Sequence, residues 1–161
     1  MAPQPQKEHQ WLDRFLGEWT FEGESVSGPG KTVERHTGME SVRSLGSVWV
    51  IMEGRGTGTD GGRTVTMMTL GYDPTKKRYV GTFVGSMMTD LWTYEGELDA
   101  SGKRLVLDTE GPSFTGDGGR AHYRDVIEFR SADHRMMTSS YRNADDGKFS
   151  EFMTTHYRRV K

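Results

Sequence analysis

The stretch "GTFVGSMMTDLWTYEG", residues 81–96, sets two runs of alternating large and polar or small residues on either side of a short "MMTD" segment with no glycine or proline. Beyond that segment Trp92, Tyr94 and Leu98 share one face and Leu91, Thr93, Glu95 and Glu97 the other, the period-two signature of a half-buried strand. The aromatic set is the inward one. With a strand on each side, the chain reverses between Gly85 and Leu91, and Thr89 and Asp90 supply polar turn residues. Met87 and Met88 then lie near one end of the sheet. They either cap the core beneath the turn, methionine being a common gap filler, or line an opening.

The same grammar extends in both directions. Trp19 and Phe21 alternate with Thr20, Glu22 and Glu24 until "SGPGK" at 27–31, and "KTVERHTGMESVRSL" and "SVWVIMEG" follow. "TVTMMTLGY" ends at "DPTKK", "LWTYEGELD" at "ASGK", and "RLVLDTEG" at "PSFTGDGG". "HYRDVIEF", "RMMTSSYR" and "FSEFMTTHYRRV" complete the chain, with "SADH" and "NADDGK" between them. This gives about ten strands. Links this short force antiparallel neighbours, because a parallel return needs a crossover. A long antiparallel meander removes its exposed edges by closing. The expected fold is therefore all-β, a single antiparallel up-and-down β-barrel of about ten strands. Glycines inside the strands, at 54, 56, 71, 81, 85 and 96, suit bends or close backbone approach in a small barrel.

Only the start of the chain has helical spacing. Trp11, Leu12, Phe15 and Leu16 form an apolar stripe opposite Glu8, His9, Asp13 and Arg14, and Gly17 ends the run. A helix over 7–16 is expected to dock on the barrel, being too short to stand alone. Residues 1–6 read as a flexible tail and 7–161 as one domain, as a chain of 161 residues suggests.

Composition narrows the partners. The formal net charge is −2 with acids and bases interspersed, so there is no basic stripe for nucleic acid. No apolar run approaches the roughly 20 residues of a membrane helix, and "MAPQPQKEHQ" has no secretory core, so no membrane partner and a cytoplasmic location are expected. With no cysteine there is no disulfide and no thiolate site. Pairing of exposed strands in a homodimer remains open.

The strings "KEHQWL", "LGEWTFE", "TLGYDP", "GTFVGSMMTDLWTYEGELD", "TEGPSF", "YRDVIEF" and the closing "HYRR" span nearly all of residues 7–159. Together they resemble domain-of-unknown-function family 1579, a bacterial group similar to the calycins, the lipocalin and fatty-acid-binding-protein kind of barrel. The resemblance implies a calycin-like fold and no particular activity. Gly17, Glu18 and Trp19 also match the calycin G-x-W signature. In calycins this tryptophan plugs one end of the barrel beneath an arginine of the last strand, a part open here to Arg158 or Arg159.

Eight strands are just filled by their own side chains, so about ten imply an internal cavity unless bulky residues occupy it. Trp49, Met68, Leu70, Phe83, Trp92, Tyr94, Phe129, Met137 and Phe152 are placed inside, a lining that suits an apolar or amphipathic guest. The candidate ligand-binding residues are Trp49, Met68, Phe83, Met88, Trp92, Tyr94, Arg124, Asp125 and His156. Alternation puts Arg124 and Asp125 on opposite faces. In one register Asp125 is an inward carboxyl with a raised pKa, fit for acid or base chemistry; in the other Arg124 clamps a guest carboxylate. His36, His122 and His156 lie on strands, whereas His9 and His134 read as surface residues. No close metal spacing occurs, and no cofactor is expected. Ser113 lacks a nucleophile elbow, and "GTGTDGG" precedes no helix and is a turn.

The leading expectation is a small-molecule-binding barrel. The alternatives are a cofactor-free isomerase or cyclase using Asp125 or an inward histidine, and a haem binder like the nitrobindins. Those barrels carry a longer glycine-tryptophan-glycine run where this chain has "GEWTFEGES".

Overall fold

The computed structural model describes residues 1–27, 32–113 and 118–160; the turn read at 28–31, the tip of "PSFTGDGG" at 114–117 and residue 161 lie outside the described residues. A short helix α1 (Lys7–Trp11) continues as a 3-10 turn (Leu12–Phe15), replacing the single helix expected over 7–16. Ten strands follow among the described residues: β1 (Gly17–Ser27), β2 (Thr32–Leu45), β3 (Trp49–Gly58), β4 (Arg63–Asp73), β5 (Arg78–Gly85), β6 (Trp92–Leu98), β7 (Arg104–Pro112), β8 (Arg120–Ser131), β9 (His134–Arg142) and β10 (Phe149–Arg159). Each pairs antiparallel with its neighbour in sequence, and β1 pairs with β10 from Trp19↔Arg159 to Ser25↔Met153. The sheet is thereby a closed barrel with no free edge. The loop at 86–91 makes the reversal expected at "MMTD".

One end is a sealed base. Trp11, Leu12 and Phe15 project from the helical segment onto Trp19, Leu70, Leu105 and Phe129, all buried in one cluster. Arg159 fixes this base. Its guanidinium lies 4.2 Å from the Trp19 ring centroid and donates to the carbonyls of Leu16, Arg14 and Ala132. A cation over an indole contributes roughly 0.5–2 kcal/mol, so this residue, and not Arg158, closes the plug. Leu16 leaves the helical turn with extended backbone, and Gly17 follows at φ +120°, a conformation that only glycine adopts freely. His9, expected on the surface, is buried: its Nδ1 accepts from the Gln6 backbone N–H and its Nε2 donates to the Tyr72 carbonyl at 3.1 Å.

Several glycines have a role that differs from the expected bends. They are seats for rings. A Cβ at Gly38 or Gly56 would collide with Phe21, one at Gly111 with Trp92, and one at Gly71 with Trp49. Gly81 and Gly96 do match close backbone approach, to the carbonyls of Thr69 and Val106.

Candidate functional site

Register assigns the interior. The pairs Trp19↔Glu40, Phe21↔Gly38 and Gly23↔His36 set the inward parity of β1 and β2, and Phe21↔Tyr157 and Gly23↔Thr155 carry it to β10. Around the ring, Met52 faces Met68, Met68 faces Phe83, Phe83 faces Trp92, Leu107 faces Asp125 and Asp125 faces Ser139. These side chains all point at the barrel axis.

They are not equally buried. Nearest the base Trp19, Phe15, Leu70, Leu105 and Leu107 are at 0 % exposure. Higher up Phe21, His36, Phe83, Trp92, Met137 and Tyr157 are only half-buried although they face inward. In a closed barrel an inward side chain can keep accessible surface only against space inside or at the mouth. The upper part is therefore open toward the mouth, above a sealed floor. Two of these rings rest against glycines, Phe21 against Gly38 and Gly56 and Trp92 against Gly111. Trp92 continues edge-to-face onto Tyr123 and Tyr123 onto Phe152, and Phe152 meets Tyr141 at a tilt, forming an aromatic rim along β6, β8, β9 and β10. The indole N–H of Trp92 donates to Met88 Sδ at 2.9 Å, which ties the 86–91 loop to that rim.

Polar groups occupy three levels. At the floor Arg135 is buried, pairs with Glu40, and lies within 4.6 Å of the Trp19 ring centroid and 4.0 Å of that of Tyr157. At mid-height Tyr94 donates its hydroxyl to Asp125 Oδ2 at 2.7 Å, and Ser139 bonds the same carboxyl. Burial pushes the Asp125 carboxyl up, partly offset by those two hydrogen bonds. Burial and the adjacent carboxyl push the Tyr94 phenol well up. The Tyr157 phenol is raised by burial and by Glu40, with a further contribution from Asp125 and a partial offset from Arg135. Near the mouth His36 Nε2 and Thr155 Oγ1 are 2.9 Å apart, and burial lowers the imidazole. Thr109, across β6 and β7 from Tyr94, buries a hydroxyl oxygen with no hydrogen-bond partner.

The structure brings Met68, Phe83, Met88, Trp92, Tyr94 and Asp125 to the lumen or its rim. Three other candidates lie outside it. Trp49 is 38 % exposed on the outer surface, its ring covering Gly71, because β3 turns Val50 and Met52 inward. Arg124 faces outward, bonded to Asp108 at 2.8 Å and 4.2 Å from the Phe149 ring centroid. Its register partner Asp125 takes the inward place, so the arginine clamp does not form. His156 is likewise outside, 2.9 Å from His134, while Thr155 and Tyr157 take the inward positions on either side. Among the three strand histidines only His36 reaches the interior; His122 pairs outside with Glu110. Phe21, Tyr157, Ser139 and Thr155 belong to the lumen and were not among the candidates. Parity could have found the last strand's pair, since placing Arg159 over Trp19 makes 157 and 155 inward and 156 outward. No group of three or more potential metal ligands occurs among the described residues, and no helix among them is long and apolar enough to cross a membrane.

Three solved structures show the same fold at low sequence identity. The S-type phycobiliprotein lyase CPES from Guillardia theta is 14 % identical with a TM-score of 0.63, covering 99 % of each chain. Rv2717c from M. tuberculosis is 10 % identical with a TM-score of 0.63, covering 98 % of this chain and 100 % of its own. The barrel EF1p2_mFAP2b, solved bound to DFHBI, is 13 % identical with a TM-score of 0.51, covering 95 % of this chain and 99 % of its own. The likeness is one of fold. No curated protein matches the chain. A family model described as "Protein of unknown function (DUF1579)" matches residues 4–159, and the chain belongs to that family.

Proposed function

We propose that this protein binds a small apolar or amphipathic molecule inside its barrel. One observation carries the reading: side chains aimed at the axis in the upper barrel keep accessible surface, while those near the base keep none. The wall offers rings and thioethers with a few convergent polar groups, the make-up usual for small-molecule sites. The resemblance in fold to a phycobiliprotein lyase and to a barrel solved with DFHBI supports it. The outward face of β1 carries Glu18, Glu22 and Glu24, which suits contact with water and not with lipid tails.

Fluorescence titration with N-phenylnaphthylamine, joined to native mass spectrometry of freshly purified protein, tests the proposal. Saturable binding or a co-purified mass is expected. Thr66→Trp, which places an indole at an inward position, should abolish binding without unfolding the chain. Absence of both saturable binding and any bound mass would sink the reading.

Asp125 favours a second reading, acid or base catalysis on the bound molecule, because a buried carboxyl with a raised pKa, held by Tyr94, is the kind of group that transfers protons. Tetralone incubated in deuterated buffer should then exchange its α-protons with the protein and not with Asp125→Asn. Exchange at the buffer rate with the unaltered protein rejects it.

A further inference from the structure

The outer wall brings two imidazoles into contact. His134 opens β9 and His156 lies on β10, and His134 Nε2 stands 2.9 Å from His156 Nδ1, with the ring centroids 5.2 Å apart and the planes 35° from parallel. Strand alternation turns both outward, since Arg135, Thr155 and Tyr157 take the inward places beside them, and both rings keep part of their surface in water. One of the facing nitrogens donates and the other accepts. When the donor ring shifts its proton to its other nitrogen, both facing nitrogens are bare and no net proton is lost.

Spacing selects the occupant. Two nitrogens bonded at about 2.0–2.1 Å to one ion lie about 2.9 Å apart at a right angle and about 3.3 Å apart at the tetrahedral angle. The observed 2.9 Å matches adjacent corners of a tetragonal site. Nitrogen sites of that geometry take Cu(II) or Ni(II), and Cu(II) the more tightly.

The neighbours supply further donors. As they stand, the histidines fall short of a group of three ligands. Glu22 on β1 is directly opposite His156 in register and exposed on the same face, and Met136 on β9 is opposite it on the other side. Cross-strand Cβ atoms are about 4.5–5.5 Å apart, so side-chain rotation alone brings the carboxylate and the thioether to an ion held by His156. A thioether favours copper over the harder cations. Arg158, opposite His134, is the cation that opposes a bound metal, and Glu22 lies diagonally across from it. Arg130, from β8, is already met by Glu128 at 3.3 Å.

We infer that His134 and His156 form a Cu(II) site on the outer wall, completed by Glu22 and Met136. The observations behind it are separate from those that support a guest inside the barrel.

Titration of the full chain with CuCl2, NiCl2 and ZnCl2, followed by calorimetry and, for copper, by electron paramagnetic resonance, is the test. One Cu(II) per chain is expected, with a tetragonal spectrum showing nitrogen ligation, and bound more tightly than Ni(II) or Zn(II). His134→Ala and His156→Ala should each weaken copper binding by at least about ten-fold, because even the loss of a group behind a ligand costs that much. Both side chains point away from the core, so the variants should fold, which thermal melting without metal checks. His122→Ala, which removes the outward histidine paired with Glu110, should leave the affinity unchanged. Uptake that does not saturate, that survives either change at 134 or 156, or that falls equally on His122→Ala would mean that copper adheres to surface histidines at large, and overturns the inference.

Discussion

Thr109 presents an uncompensated cost at the scale of a single residue, a buried hydroxyl oxygen without a partner. Leaving such a group unmade costs about 1–3 kcal/mol, and valine has nearly the same shape without the requirement. Thr109→Val should accordingly raise the unfolding free energy by an amount in that range, read as a higher urea midpoint with an unchanged slope against denaturant; a lowered midpoint would show that the hydroxyl is bonded in solution. Asp125 has a different signature. Its folded pKa lies above the ordinary 3.8, so the folded chain holds the proton more tightly than the unfolded one. The stability this group contributes is complete below 3.8 and is lost as pH rises through the folded value. Asn cannot titrate. The unfolding free energy of Asp125→Asn minus that of the parent should climb as pH rises above 3.8 and level off beyond the folded pKa, measured by urea melts at a series of pH values. A flat difference contradicts the burial seen here. The inward place of Asp125 over Arg124 was one of two registers open in the sequence. Neighbouring glycines do not distinguish them, and only the pairing Leu107↔Asp125 does. Trp49 misleads for a related reason: size suggests the core, but the ring covers bare backbone at Gly71, a contact between strands that one strand's alternation cannot reveal.

Elements show where seats and latches act. Gly111 on β7 exists to receive the Trp92 ring from β6. Gly111→Ala should destabilise the protein by about 1–3 kcal/mol, the usual cost of overpacking, yet cost little or be favourable in a Trp92→Leu background. The coupling between the two changes is the quantity to measure, and additive effects would mean that the ring is not seated there. The helical segment hangs on Arg159, which spans the Leu16, Arg14 and Ala132 carbonyls as well as the Asp133 carboxylate. A lysine has one compact ammonium and cannot reach all of them. Arg159→Lys should lose about 2–3 kcal/mol by urea unfolding, and a loss within about 0.5 kcal/mol, typical of ordinary surface positions, would show that the latch is ornamental. Strand existence and order were legible from period-two runs and turn residues. The division of the first segment into a helix and a 3-10 turn was not, because both place Trp11, Leu12 and Phe15 on the barrel.

Closure is the property of the whole molecule that sequence grammar conveyed most completely. Ten short-linked runs leave two edges that can only satisfy each other, and β1 with β10 does so over Trp19↔Arg159 to Ser25↔Met153. Whether a ring of that size is hollow was harder to read, since it depends on how the aromatic side chains lie. Phe21 and Trp92 rest against glycines on other strands, and those partners sit far off in sequence, at 38, 56 and 111. A topology whose closing pair joins the two ends of the chain also places this domain among slow, millisecond-to-second folders.

A ring has no first member. Since β1 and β10 already stand side by side, the peptide's beginning and end are conventions of synthesis more than of architecture. A circular permutant that bridges Val160 to Gln6 with a flexible linker and opens between Gly61 and Gly62, in the exposed turn after β3, keeps every strand pairing it had. It should melt cooperatively and still take up N-phenylnaphthylamine. Such a rearranged gene would put both new termini beside the entrance, where an attached reporter could sense whatever enters.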